Sequence, residues 1–142
     1  MERFYVCNVC GHVEFGQAPQ NCPVCFAPKE KFSEDTAALM PAEKEGKEKH
    51  VPQIVVTDDC GLIPDLCRDI HIKIGSTLHP MAEDHWITWI DIYVNRVFAS
   101  RYMLRPLMQP AVSIHVKKEN TGTLTVIEHC NKHGRWMAEA KI

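Results

Sequence analysis

The chain has 142 residues and no run of about 18 apolar ones, so no segment of it is expected to span a membrane as a helix. It has no basic excess either. Its 16 lysines and arginines against 18 aspartates and glutamates leave a formal net charge of −2, which lacks the electrostatic footprint of a nucleic-acid binder. The opening stretch Met1-Glu-Arg-Phe-Tyr-Val-Cys7 has neither the basic nor the apolar region of a secretory signal, so a reducing cytoplasm is the expected compartment. Internal repeats, low-complexity tracts and long helical patterns are all missing. Seven cysteines are present, an odd number, and a reducing compartment disfavours structural disulfides. Paired Cys-x-x-Cys spacing therefore reads as metal binding.

Two such pairs, Cys7-x-x-Cys10 and Cys22-x-x-Cys25, bracket a loop containing glycine and proline. Each pair folds as a tight knuckle that aims both sulfurs at one metal, with backbone N–H groups able to moderate their charge. Two knuckles make a closed tetrahedral sulfur site for a single iron or for zinc. Residues 1–34 are too few to bury a stable core unaided, so the metal is expected to hold them together. Residues 35–47 are polar and charge-mixed and read as a linker, with room for a helical turn. From residue 48 to 142 the pattern is β. Ile70, Ile72 and Ile74 alternate with polar residues, as do Val112, Ile114 and Val116. Ile90, Ile92 and Val94 share one face, Asn120-Thr-Gly122 signals a turn before Leu124 and Val126, and Trp136, Ala138, Ala140 and Ile142 alternate to the end. Short strands separated by turns predict a mainly β chain whose second domain is a β-sandwich.

Five strong metal ligands are scattered through that second domain: His50, His79, His85, Cys130 and His133. A catalytic zinc usually takes three protein ligands and keeps one position open. Four imidazoles and a thiolate instead suit an iron that is nearly encircled and has one free face. Neutral imidazoles leave the metal cationic, so an anion is drawn to that face. A thiolate opposite it pushes electron density toward whatever binds, the lever also used in thiolate-ligated haem. Such a site belongs to a redox enzyme acting on a very small substrate.

The first unit, Tyr5-Val-Cys7-Asn-Val-Cys10-Gly11, Ala18-Pro19, Cys22-Pro-Val-Cys25 and Ala27-Pro28-Lys29 with Phe32, resembles rubredoxin, above all the module fused in rubrerythrins. The second resembles the superoxide reductases, the family of desulfoferrodoxin and neelaredoxin. The matching residues are Glu48-Lys49-His50-Val51-Pro52, His79-Pro80-Met81 with His85 and Ile87-x-Trp89-Ile90, and Cys130-Asn131-x-His133-Gly134-x-Trp136. Desulfoferrodoxins carry an adjacent cysteine pair in their first module, and this chain departs from them there. The resemblance implies a rubredoxin-like knuckle domain followed by an immunoglobulin-like β-sandwich, with two mononuclear iron sites. It implies four equatorial histidines (His50, His79, His85, His133), an axial Cys130, a Lys49 bordering the open position and a Glu48 that closes on the oxidised iron. The implied activity is one-electron reduction of superoxide to hydrogen peroxide. An external donor such as rubredoxin or its reductase would supply the electron, the four-cysteine iron would relay it, and the chain would form a homo-oligomer, dimer or tetramer.

Three other readings compete. In the first, the four cysteines are a structural zinc ribbon of an electron-transfer protein and the sandwich is a metal-stabilised binding module. A zinc hydrolase would leave Cys130 and one histidine without a role. A dismutase would have to oxidise superoxide as well, which a donating thiolate disfavours. Cys60 and Cys67 lie outside every motif and read as two free or buried thiols. His12, His71 and His115 read as surface residues. His129 should point away from Cys130, and Trp86 and Trp136 are candidates to shield the second site.

Overall fold

In the computed structural model, which describes residues 2–142, the chain divides into two compact units, Met1–Met40 and Pro41–Ile142. The first is a three-stranded antiparallel sheet of β1 (Phe4–Cys7), β2 (Val13–Phe15) and β3 (Phe32–Glu34), ordered β2-β1-β3. Its buried side chains are few: Val6, Cys7, His12, Val13, Cys22 and Ala38. That is too little apolar surface to offset the entropy of ordering the chain, so the sulfur cluster must supply the difference. The knuckles are built alike. Gly11 N–H donates to Cys7 O and Phe26 N–H to Cys22 O, each at 2.9 Å. Gly11 and Phe26 both turn into the left-handed region, at φ 80° and 66°. Glycine does this freely and phenylalanine at a cost.

His12 is not a surface residue. It is fully buried, pairs through Nε2 with Glu14 at 2.7 Å, and sets its ring edge-on to Phe32. It directly precedes β2, and its contacts with Glu14 and Phe32 hold it inward. The segment read as a linker is shared between the units. Asp35 N–H donates to Phe4 O and Ala38 is buried, whereas Lys44, whose N–H donates to Pro41 O, lies in the turns that lead into the second unit.

The second unit opens with one helical turn, α1 (Lys47–His50). Seven strands follow: β4 (Pro52–Thr57), β5 (Cys67–Ile74), β6 (Ile87–Val94), β7 (Val97–Met103), β8 (Ala111–Lys117), β9 (Thr123–Cys130) and β10 (Gly134–Lys141). They form a four-stranded sheet, β10-β9-β6-β7, and a three-stranded sheet, β4-β5-β8, all antiparallel. This is the seven-strand, two-sheet arrangement of an immunoglobulin-like sandwich. The core between the sheets joins Ile70, Ile72, Ile74, Ile114 and Val116 from one side to Ile87, Ile90, Ile92, Leu124, Val126 and Cys130 from the other. Cys130 is thus a core residue at the end of β9.

A register shift between Ile87 and Trp89, opposite Cys130 and His129, puts Ile87 and Ile90 on the same inward face. Such bulges re-aim side chains where a strand ends. On the outer face of β6, Asp91 is fully buried and paired with Arg101 of β7 through two bonds of 2.6 and 2.8 Å. The Arg101 guanidinium lies 3.9 Å over the Trp89 ring.

Candidate metal centres

In the first unit the four sulfurs converge. Cys7 Sγ lies 3.6 Å from Cys25 Sγ, and Cys10 Sγ 3.6 Å from Cys22 Sγ. All four are within 4.8 Å of one another. A tetrahedral metal with bonds of about 2.3 Å to sulfur has sulfur–sulfur edges of roughly 3.8 Å, so the cradle fits a single iron or zinc without rearrangement. Burial pushes the Cys10 and Cys22 thiols up. The His12 N–H opposes this at Cys10, and the Cys25 and Val24 N–H groups oppose it at Cys22. These amides are the charge moderators expected of the knuckles.

The second centre is assembled from three loops at one end of the sandwich. His50 ends α1. His79 and His85 come from the β5–β6 connection, and Cys130 and His133 from the β9–β10 turn. The four rings close a circuit, each edge-on to the next. Centroid distances are 4.8 Å for His50–His79, 4.7 Å for His79–His85, 5.0 Å for His85–His133 and 5.1 Å for His133–His50. Ligand atoms of His50, His85, Cys130 and His133 lie within 4.8 Å of one another, and His79 completes the circuit between His50 and His85.

The donor chemistry tests whether a metal fits. His50 Nδ1 faces Gly46 O at 2.8 Å and His79 Nδ1 faces Pro80 O at 2.7 Å. A carbonyl can only accept, so both protons sit on Nδ1 and both Nε2 lone pairs are free. The Nε2 atoms of His50, His79 and His85 are buried with no hydrogen-bond partner. Three orphaned acceptors aimed at one point would be costly without a cation to satisfy them. Burial lowers the pKa of His50 and His85, and that of His79 to about 4, so all three are neutral and ready to ligate near neutral pH. His133 presents Nδ1, 3.6 Å from Cys130 Sγ. Burial raises the Cys130 thiol, while N–H groups of Lys132 and His133 aimed at the sulfur act against that rise. Four imidazole nitrogens with one amide-supported sulfur suit iron.

The loops are held from outside the ligand set. Trp136 stacks on His50 with centroids 4.8 Å apart and donates its indole N–H to His133 O at 3.0 Å. Asn131 ties the β9–β10 turn to the β5–β6 connection by accepting from Trp86 N–H at 2.9 Å and donating to Asp84 O at 3.0 Å. His129 points away from Cys130, as expected, and stacks on Trp89. Two residues of consequence were not legible as such in the sequence. Gly75, at φ 85°, lets the chain after β5 pass under α1. A Cβ there would overlap Thr77 O and come within 2.9 Å of Glu48 O and of the Lys49 carbonyl carbon. Glu128 shares the inward face of β9 with Cys130 and is fully buried, and neither carboxyl oxygen has a hydrogen-bond partner. Burial pushes its pKa well above the usual carboxylate range. An acid at an inward position of the Leu124, Val126 alternation was the available signal.

Lys44, Glu48, Lys49, His50, His85, His133 and Trp136 line a depression of about 430 Å³ above the rings. Glu48 and Lys49 are exposed. A wider groove of about 790 Å³ on the outer face of β4, β5 and β8 contains none of the five ligands. The donor atoms, not the volume, mark the site.

A rubredoxin-like knuckle joined to an immunoglobulin-like sandwich, with four histidines and a cysteine gathered at one end, defines a class of two-centre metalloprotein. Residues 42–139 match the desulfoferrodoxin family and residues 5–33 the rubredoxin-like domain of rubrerythrin, and the chain belongs to the desulfoferrodoxin family. A desulfoferrodoxin of Syntrophotalea carbinolica is 35% identical over 139 residues, covering 95% of this chain and 94% of its own. A superoxide reductase (neelaredoxin) of Ignicoccus hospitalis is 28% identical, with a TM-score of 0.54 over 66% of this chain and 79% of its own. The superoxide reductase of Treponema pallidum shares the fold over 97% of both chains, at 22% identity and a TM-score of 0.60.

Proposed function

We propose that this chain is a superoxide reductase: superoxide, one electron and two protons give hydrogen peroxide. The observation that carries the reading is the circuit of four imidazoles with three orphaned Nε2 atoms, closed by Cys130 and opening on a depression that Lys49 and Glu48 line. His50, His79, His85, His133 and Cys130 would hold the metal. Iron bound there supplies the electron and a coordination position for a small anion, and the Cys130 sulfur raises its donating power.

The chain's own groups do the rest. Lys49 draws superoxide into the depression and orders the water that delivers the protons. Glu48, its neighbour on α1, lines the same depression and would be the carboxylate available to the metal once product has left. Trp136 keeps bulk water off the His50 side. The four-cysteine unit relays the replacement electron from an external donor such as rubredoxin or its reductase. In this division the knuckle domain serves a catalytic domain beginning at Glu48.

A reducing, cytoplasmic setting fits seven cysteines that are all free thiols. No helix among the described residues is long and apolar enough to cross a membrane. A dimer or tetramer would cover exposed apolar residues of the edge strand β7, such as Val97 and Met103. Superoxide capture by the reduced protein tests the site reading. Lys49→Ala should slow it roughly tenfold at low salt and flatten its dependence on ionic strength. An unchanged rate and salt profile would remove Lys49 from the mechanism.

A further inference from the structure

Cys60 and Cys67 have no part in the iron chemistry, yet they are not isolated. Cys60 sits in the β4–β5 loop, Cys67 begins β5, and both are buried. His115 of β8 presents Nδ1 to both sulfurs, 3.4 Å from each. Asp69 Oδ1 lies 2.8 Å from the same Nδ1 and 3.8 Å from Cys67 Sγ. All four ligand atoms are within 4.8 Å of one another.

Sheet pairing brings them together. Asp69 and His115 are register partners across β5 and β8, and Cys67 lies one pleat along, opposite Lys117. The cluster therefore occupies the outer face of the three-stranded sheet, away from Ile70 and Ile72, with the loop folded over it. That loop has little else to hold it. Leu62 and Leu66 are 74% and 70% exposed and Ile63 is 45% exposed, so its large apolar side chains point outward and Cys60 is the residue it buries. The Ile63 N–H donates to Cys60 Sγ at 3.3 Å, the support a thiolate ligand receives in a metal knuckle.

We propose that Cys60, Cys67, Asp69 and His115 form a third metal site, a closed tetrahedral site for zinc that clips the β4–β5 loop to the sheet. Zinc with bonds of about 2.3 Å to sulfur and about 2.0 Å to nitrogen has sulfur–nitrogen edges of roughly 3.5 Å. Both sulfur–nitrogen separations match that edge at 3.4 Å. The 2.8 Å contact of Asp69 with Nδ1 is the hydrogen bond of the proton that the metal replaces. A small rotation of the Asp69 carboxylate opens it to a ligand edge. Binding releases the two thiol protons and moves the imidazole proton to Nε2, so no oxidant or reductant is required. Zinc, with no redox chemistry and a taste for mixed sulfur, nitrogen and oxygen ligands, suits a clip better than a third iron. The site does not depend on the superoxide reading.

The test uses the full chain with both iron sites filled, under reducing conditions, titrated with Co²⁺ as a coloured stand-in and then with Zn²⁺. The expected result is one equivalent of cobalt bound, with thiolate-to-cobalt charge transfer and the intense visible bands of a tetrahedral ion, all displaced by zinc. The double variant Cys60→Ser, Cys67→Ser should show none of these bands. His115→Gln keeps both thiols and the sandwich core, so it serves if the double variant does not fold. It should weaken cobalt binding by at least about tenfold, the loss that even an outer-shell change produces. In parallel, zinc should protect Cys60 and Cys67 from alkylation, read residue by residue in the digested protein. Absence of the bands in the parent chain, their persistence in the variants, or equal alkylation with and without zinc would each overturn the site.

Discussion

At the scale of single residues, the second centre is a set of histidines whose protons are assigned by their surroundings. Gly46 O and Pro80 O take the Nδ1 protons of His50 and His79 and leave Nε2 free. Burial then keeps the imidazoles neutral, lowering His79 to about 4 from an ordinary value of 6.5. The sign of the linkage follows. In the metal-free protein the unfolded chain takes up a proton at His79 as pH falls below 6.5, while the folded chain resists until about 4. His79 should therefore cost stability progressively between those values and nothing further below. All three tryptophans, Trp86, Trp89 and Trp136, lie in the sandwich, so their fluorescence follows its unfolding in urea. The midpoint of the metal-free parent should fall more steeply from pH 7 to pH 4.5 than that of His79→Gln. Parallel pH profiles would mean that burial does not hold the ring neutral.

At the scale of elements, the site depends on one helical turn being pressed against the chain after β5. α1 spans only Lys47–His50, far too short to be stable alone. It is held by Thr77 N–H donating to Glu48 O at 2.8 Å and by the bare backbone at Gly75. Gly75→Ala would force that backbone out of its left-handed turn and push α1 away. The expected loss is about 1–3 kcal/mol of stability, with a fall in iron retained at the four-histidine centre. A variant with the parent's melting temperature and iron content would show that α1 tolerates the displacement. The ligand residues were legible because their types and short spacings are unusual in combination. Gly75 was not, because a glycine after a strand looks like any other turn. β7 was missed as well. Its sequence, Val-Phe-Ala-Ser-Arg-Tyr-Met, carries Arg101 toward the outer face of β6, where the buried partner is Asp91 and not an aliphatic residue. Strict alternation survived only where one face meets the core and the other meets solvent, as in β5 and β8.

At the scale of the whole molecule, the two units solve the problem of stability differently. The knuckle has almost no core and relies on its metal, whereas the sandwich packs two sheets of aliphatic residues and adds a buried ion pair on its outer face. Arg101→Met leaves Asp91 buried without its partner, at an expected cost of about 3–5 kcal/mol. Thermal unfolding followed by tryptophan fluorescence should show it, and a melting temperature equal to the parent's would mean that water reaches Asp91. The fold class and both metal centres were readable from the chain. The cluster of Cys60, Cys67, Asp69 and His115 was not, because 48 residues separate Cys67 from His115 and only the β5–β8 register joins them. His115 in particular sits at an outward strand position, where exposure is the ordinary expectation.

This architecture is expected to reduce superoxide and not to dismute it. Mixing the fully reduced protein with superoxide by stopped flow or pulse radiolysis, while following iron oxidation, hydrogen peroxide and oxygen together, separates the two reactions. One hydrogen peroxide is expected for each four-histidine iron oxidised, with no oxygen released and no turnover unless an electron donor is added. Sustained consumption of superoxide with oxygen release and no donor would contradict this expectation.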